Sequence, residues 1–411
     1  MRRLLCLCVF VVATTLGMAQ STDVQPVFSP LAAIPDTPTS RNLITLVDRD
    51  AIAVAYPDAQ KPASTSALLN ALQGRGRFAE GEAVWALVFR GLLDETAQEI
   101  VLAEDLPNAL GIEVLQISQV ASFGLVPEDG RLFLGDFDLM AVQSALAARG
   151  YTTDDEALWC YEGDCASGLK ISFDQRNPAN PFGGNLGRTQ PIIAVPGMLY
   201  SAAAEAVVRA GAATIAGDLK SLADAPAYRA VAEALSSQGI VLQTTFMDGA
   251  SLLNNSTMNV PMLPDDMAQT LPEGIMPIEP YMLYALADVV TSTEQAGIAA
   301  FVYPSEAAAA AALEQMTYRL TTLNSLRFRR PWAEVLTERG LTVDSQVVAA
   351  DDLYVGLLRF ATPLPPTTEI LKGDLRFTSS GKLMPGQVYN FLAQGLYNRD
   401  DLWRLWDLTD E

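Results

Sequence analysis

YMLYALADVV at 281–290, GIAAFVY at 297–303 and PSEAAAAAALEQMTYRLTTL at 304–323 decide the fold class. The first two are apolar runs of strand length, too short for buried helices and rich in aromatic and aliphatic residues. The third opens on Ser305, a good N-cap, with Glu306 in the first turn and an alanine-rich body to Leu323. Strand patterns follow at 342–349 and 353–360. The order is strand, strand, helix, strand, strand.

A similar order precedes it. Residues 121–126 and 131–137 are strand-like and joined by Pro127-Glu128-Asp129-Gly130, a hairpin turn. Residues 140–149 are helix-like and stop at Gly150. Strand patterns at 157–161 and 191–199 complete the set. Local strings echo as well: Ile192-Ile193-Ala194 before Leu199-Tyr200, and Val347-Val348-Ala349 before Leu353-Tyr354. The expected class is α+β, with largely antiparallel sheets and helices on one face. Two related ββαββ modules are the accompanying expectation.

Around this core the chain divides into a signal segment at 1–19, an extended leader at 20–41 and an N-terminal α/β segment at 42–118. The first module with further helices follows at 119–247, then a Met- and Pro-rich loop at 248–280 and the second module with a C-terminal helix at 281–411. Within these, 42–47 reads as a strand and 63–72, 203–210 and 225–235 as helices. Periodicity leaves 83–89 and 99–103 open between strand and helix. Residues 387–408 have helical spacing, with Trp403 and Trp406 on one face.

The first nineteen residues read as an export signal. Arg2-Arg3 precedes an unbroken apolar run from Leu4 to Val12, and Gly17-Met18-Ala19 places small residues for cleavage after Ala19. The run is shorter than the ~20 residues a spanning helix needs. Cys6 and Cys8 lie inside it rather than at the cleavage point, against a lipoprotein. The expectation is a secreted or periplasmic, bacterial chain with no transmembrane anchor after processing; an uncleaved N-terminal anchor is the alternative.

Cleavage would leave Cys160 and Cys165 as the cysteine pair. In an oxidising compartment they are expected to form a disulfide around Tyr161-Glu162-Gly163-Asp164, with Gly163 turning the chain. So small a ring contributes roughly 2 kcal/mol. The spacing is longer than a redox Cys-x-x-Cys, and two thiols do not close a zinc site.

Twenty-seven basic residues face 48 acidic ones, a formal charge of −21. That field opposes nucleic acid and anionic lipid, and no basic stripe rescues nucleic-acid binding. The chain has no histidine. Every Ser-His-Asp or Cys-His nucleophile is therefore excluded, as is every imidazole metal ligand. No cofactor is expected.

The candidate binding segment is the 248–280 loop, with Met258, Met262, Asp265, Asp266, Met267 and Met276. Loops of this length are commonly functional. Its thioethers suit an adaptable apolar contact better than Cu(I), because no His or Cys supports them. Ser-x-x-Lys occurs at Ser167–Lys170 and Ser379–Lys382 without a helix start or the companion motifs of serine acyl-enzymes. Gly183-Gly184-Asn185-Leu186-Gly187-Arg188 is a plain glycine loop, since Phe182 stands where a phosphate loop needs glycine. The carboxylate groups at 48/50, 136/138, 154–156, 265/266 and 351/352 read as turns and helix starts.

The expected function is a non-enzymatic binding or interaction protein whose partner is a small apolar ligand or an envelope protein. Two rivals are an extracytoplasmic carboxylate-based, glycosidase-like hydrolase and a structural envelope component.

Overall fold

A computed structural model describes residues 24–73, 75–92, 105–153, 157–248, 278–325, 328–365, 383 and 385–397. Among them the strands are β1 (Ile44–Asp48), β2 (Ile117–Phe123), β3 (Gly130–Gly135), β4 (Tyr151–Thr153), β5 (Leu158–Tyr161), β6 (Ile192–Val195) and β7 (Met198–Ala202). They continue with β8 (Ile240–Asp248), β9 (Leu283–Val290), β10 (Glu294–Tyr303), β11 (Asn324–Ser325), β12 (Arg330–Pro331), β13 (Thr342–Ala350) and β14 (Leu353–Pro363). All but β11 and β12 join one 12-stranded sheet, in the order β13-β14-β10-β9-β8-β1-β2-β3-β7-β6-β5-β4. Among the described residues every pairing in it is antiparallel. The protein is α+β, as the sequence leads one to expect.

The sheet is organised about the β1–β8 pair, where Ile44 faces Phe246 and Val47 faces Gln243. Reading outward, one arm runs β8-β9-β10-β14-β13 and the other β1-β2-β3-β7-β6, with β5 and β4 beyond. In each arm the third strand leads into a helix, Leu139–Ala148 or Glu306–Thr322, and the chain returns through a hairpin. The second strand of that hairpin pairs with the third strand of the arm, β7 with β3 and β14 with β10. Between helix and hairpin the arm that starts at β1 carries β4, β5 and an irregular stretch. The arm that starts at β8 carries β11, β12 and the helix Trp332–Glu338 there.

Helices cover both faces, which corrects the expectation of one. On one face Leu46, Phe123, Leu132, Tyr200, Phe246, Ala285, Ile298 and Val355 pack under the 3₁₀ segment Pro26–Ala33 and the helices Glu205–Ala216 and Pro226–Ser236. On the other, Val47, Val120, Phe133 and Leu199 lie with residues of Thr65–Leu72, Glu80–Gly91 and Leu139–Ala148. Farther along that face Tyr284, Leu286, Phe301 and Leu358 meet Glu306–Thr322, Trp332–Glu338 and Gln387–Tyr397. Two-sided cover explains why β9 is buried at every residue and reads as a continuous apolar run instead of an alternation.

Three local expectations change. Residues 26–33, placed in an extended leader, wind into a 3₁₀ helix that buries Val27, Phe28 and Leu31. The Gln25 backbone N–H donates to the Ser236 hydroxyl, and its side-chain carbonyl accepts from Val241 N–H, so the segment is fastened to β8. The apolar run at 191–199 is a hairpin: Gly197, at φ 74°, turns the chain between β6 and β7. It was expected as one strand because Pro196-Gly197 interrupts so little of the apolar pattern. Finally β8, an inner strand that joins the two arms through β1, has polar Gln243-Thr244-Thr245 in its middle and carried no strand pattern.

Candidate functional site

The expected contact residues Met258, Met262, Asp265, Asp266, Met267 and Met276 lie outside the described residues, as do Trp403, Trp406 and Ser379–Lys382. The disulfide expectation holds: Cys160 at the end of β5 is bonded to Cys165, with Cα atoms 4.8 Å apart. Inside the ring Gly163 takes φ 76° and Asp164 N–H donates to Tyr161 C=O at 2.9 Å.

The carboxylates named from sequence have local duties. Asp48 accepts from Ala51 N–H and from the Gln119 amide, and burial pushes its pKa up. Asp138 caps the Leu139–Ala148 helix through Met140 and Ala141 N–H. Asp351 pairs with Arg229 at 3.1 Å. Asp154–Glu156 and Asp265/Asp266 fall outside the described residues. Among the described residues no group of three or more Cys, Asp or Glu side chains is placed to hold a metal ion.

The sequence reading missed Asp288. It lies inside β9, 1% exposed, in register with Gln243 of β8 and Gly297 of β10. On the same face of the strand Leu286 belongs to one apolar cluster and Val290 to the other, so the acid sits where the two meet. Burial is the main cause that pushes its pKa up to about 7; the Gln243 side chain offsets part of this. Neither carboxylate oxygen receives a well-aligned hydrogen bond. Tyr56, whose hydroxyl is raised first by burial and then by the Asp288 charge, approaches from the segment after the Ala51–Ala55 helix. Gly297 admits the Gln387–Tyr397 helix: a Cβ there would stand 2.6 Å from Leu392 Cδ1. Asp288 is thus sealed by packing, and in this state no substrate reaches it. The available signal was one acid inside an eight-residue apolar run.

An open site lies elsewhere, in the irregular stretch between β5 and β6. Leu169, Ile171, Phe173 and Leu186 are exposed by 45, 52, 70 and 40%. Most large apolar side chains among the described residues are buried, so four exposed within eighteen positions form a patch that requires an explanation. They are held close together: Ser172 N–H donates to Leu186 C=O at 3.3 Å. Gly187 takes φ 65° and a Cβ there would fall 1.7 Å from Ser172 O, so the two segments touch backbone to backbone.

The frame beneath is rigidly built. The disulfide fixes one end. Asn177 N–H reaches Gly184 C=O, and Gly184 N–H reaches Asn180 C=O, each at 3.0 Å. The Arg131 guanidinium on β3 donates to Pro181 C=O. Phe182 is fully buried and stacks on Phe133 at 5.0 Å between centroids. The glycine loop is therefore a packing device, as expected. Ser167 is buried, donates to Asp164 C=O and receives the Thr189 hydroxyl at 3.1 Å. Lys170 reaches out to the Asp164 carboxylate at 2.8 Å, so the Ser-x-x-Lys pair supports the frame.

No helix among the described residues is long and apolar enough to cross a membrane. No family model matches the chain, and no curated protein does. Among solved structures, crystal form I of TP0453 is similar at 7% identity and a TM-score of 0.34, covering 90% of this chain and 98% of that one. Crystal form III of TP0453 stands at 8% identity and 0.32, covering 81% and 93%.

Proposed function

We propose that the protein is an extracytoplasmic, non-enzymatic interaction protein that presents the 169–186 platform to an envelope component. The observation that carries this is the exposure of Leu169, Ile171, Phe173 and Leu186 on a braced frame. Apolar side chains held rigidly in water lose little conformational freedom on contact, which favours binding. The N-terminal signal pattern supplies the address, and the Cys160–Cys165 bond suits an oxidising compartment.

The arms of the sheet support the choice of surface. Their shared order of strands and connections, with the echoed strings at 192–200 and 347–354, fits two related halves. We take the halves to be a duplication in which the first acquired the platform where the second keeps a short ribbon and helix. Such additions to a common frame are where function is commonly grafted.

The test is retention of the exported protein on washed envelopes of its host. Wild type is expected to stay with the envelope fraction. The double variant Ile171→Asp/Phe173→Asp, altered only at exposed positions, is expected to be released at least tenfold more readily with an unchanged melting curve. Equal retention of the two would remove the platform from the account.

A further inference from the structure

We infer that the open edge of the sheet at β13 pairs with β13 of a second copy of this chain, antiparallel and about a two-fold axis at Gln346, so that two sheets join into one. The inference goes beyond the platform at 169–186 and does not depend on it.

The two edges of the sheet differ. β4 closes one end and is three residues long. β13 closes the other and runs for nine. Among the described residues β13 pairs with β14 alone, in an unbroken register from Thr342 opposite Ala361 to Ala350 opposite Leu353. Its outer row of backbone N–H and C=O groups is thus left for a partner. Edges that stay single are commonly short or bulged, or carry proline or lysine. β13 has no bulge, no proline and no lysine. Val343 and Val347 lean on the cluster under the Glu306–Thr322 helix, and Val348 on the cluster under Pro226–Ser236. These helices do not cover the edge: the three valines are only half-buried, and Thr342, Asp344, Ser345, Gln346 and Ala349 are exposed.

Charge narrows the choice of occupant. Each copy carries −21, which sets two copies against one another. Yet residues 341–350 hold a single charged side chain, Asp344. The Arg359 guanidinium on β14 already meets it at 3.1 Å and also holds Glu294. The strand therefore offers no free charge that would select a foreign peptide. The general repulsion is screened beyond about 8 Å at physiological ionic strength.

The strand also matches itself. In a two-fold antiparallel pair one residue lies on the axis and faces its own copy. With Gln346 there, all nine residues of β13 pair. Thr342 faces Ala350, Val343 faces Ala349, Asp344 faces Val348 and Ser345 faces Val347. No like charges are opposed, the half-buried valines are covered, and the two Gln346 amides can bond to each other. The platform between β5 and β6 lies toward the other end of the sheet. A pair joined at β13 keeps its two platforms apart and leaves both uncovered.

The experiment is sedimentation of the exported full-length protein at tens of micromolar, with oxidative cross-linking as a second readout. Wild type is expected to sediment as a dimer. Gln346→Lys, which sets two ammonium groups against each other on the axis, is expected to weaken association at least tenfold while the dilute monomer melts as before. Gln346→Cys places two thiols where facing Cα atoms stand about 4.5–5.5 Å apart, within disulfide reach, and is expected to form a cross-linked dimer under mild oxidation. Thr342→Cys, exposed on the same strand but far from its own copy, is expected to stay uncross-linked. A wild type that sediments as a monomer overturns the inference. So does a dimer that Gln346→Lys leaves intact, or cross-linking of Thr342→Cys as fast as that of Gln346→Cys. Envelope retention through Ile171 and Phe173 reads the platform separately, so each proposal can fail without the other.

Discussion

Asp288→Asn is expected to abolish a fall in stability that wild type shows between about pH 4 and pH 7. In the folded protein burial holds the Asp288 carboxyl near 7, whereas in the unfolded chain it ionises in the ordinary carboxylate range. Between those values the folded state binds the extra proton. Stability from this group is complete below the unfolded value, declines as pH rises through the window and stays low above it. The full displacement is worth on the order of 4 kcal/mol at most. Asparagine resembles the protonated acid in shape and never ionises. The variant should match wild type at pH 4 and exceed it by several kcal/mol at pH 8, measured by urea unfolding at both values. Carboxylates lowered by partners, such as Asp164 beside Lys170 and Glu338 beside Arg330, give slopes of the opposite sign in both proteins and cancel in the difference. An unchanged difference between wild type and variant across the range would show that Asp288 is not sealed as described.

Phe246→Ala should cost about 3–5 kcal/mol, the range for removing a fully buried aromatic ring. Phe246 is 0% exposed and belongs to β8, opposite Ile44 across the central pair. Its ring meets Phe28 of the 3₁₀ segment edge-on at 6.3 Å and Tyr228 of the Pro226–Ser236 helix at 5.3 Å. The cavity would therefore open where the N-terminal segment, a covering helix and the junction of the two arms all converge. Denaturant unfolding should show a lower midpoint for the variant. A loss below about 1 kcal/mol would contradict the placement of this ring in the core.

These two residues also mark where the sequence was legible and where it was not. Strands β9, β10, β13 and β14 and the Ser305-capped helix stand out because apolar runs, a cap and an alanine-rich body agree with one another. The inner strand carrying Phe246 was missed because Gln243, Thr244 and Thr245 break its apolar pattern. In the folded sheet those polar residues are buried, and Thr245 shares a 2.6 Å hydrogen bond with the Tyr389 hydroxyl. Partners 144 positions apart leave no local trace. Asp288 was hidden for the converse reason: a single acid in an apolar run gives no sign of whether it turns inward. The covering of both faces by helices was likewise obscured, since a strand buried on both sides does not report which side a helix covers.

The site divides in the same way. The disulfide was legible from the spacing of the two cysteines and a turn-forming Glu-Gly-Asp between them. The glycine loop was legible as structural, and the backbone contact at Gly187 gives the reason. The exposed platform was not, because Leu169, Ile171, Phe173 and Leu186 look like ordinary core residues in one dimension. Only the pairing of 172 with 186 turns them outward together on one frame.

The central claim is that this platform is covered when the protein is in place. The most direct measurement is side-chain labelling by a diffusible carbene, read by mass spectrometry on the purified protein and on the same protein in intact host envelopes. The account predicts strong labelling of Ile171 and Phe173 in the purified protein and several-fold protection in the envelope. Exposed Val54, on the Ala51–Ala55 helix and outside the 169–186 stretch, should label equally in both. Equal labelling of Ile171 and Phe173 in the two states would contradict it.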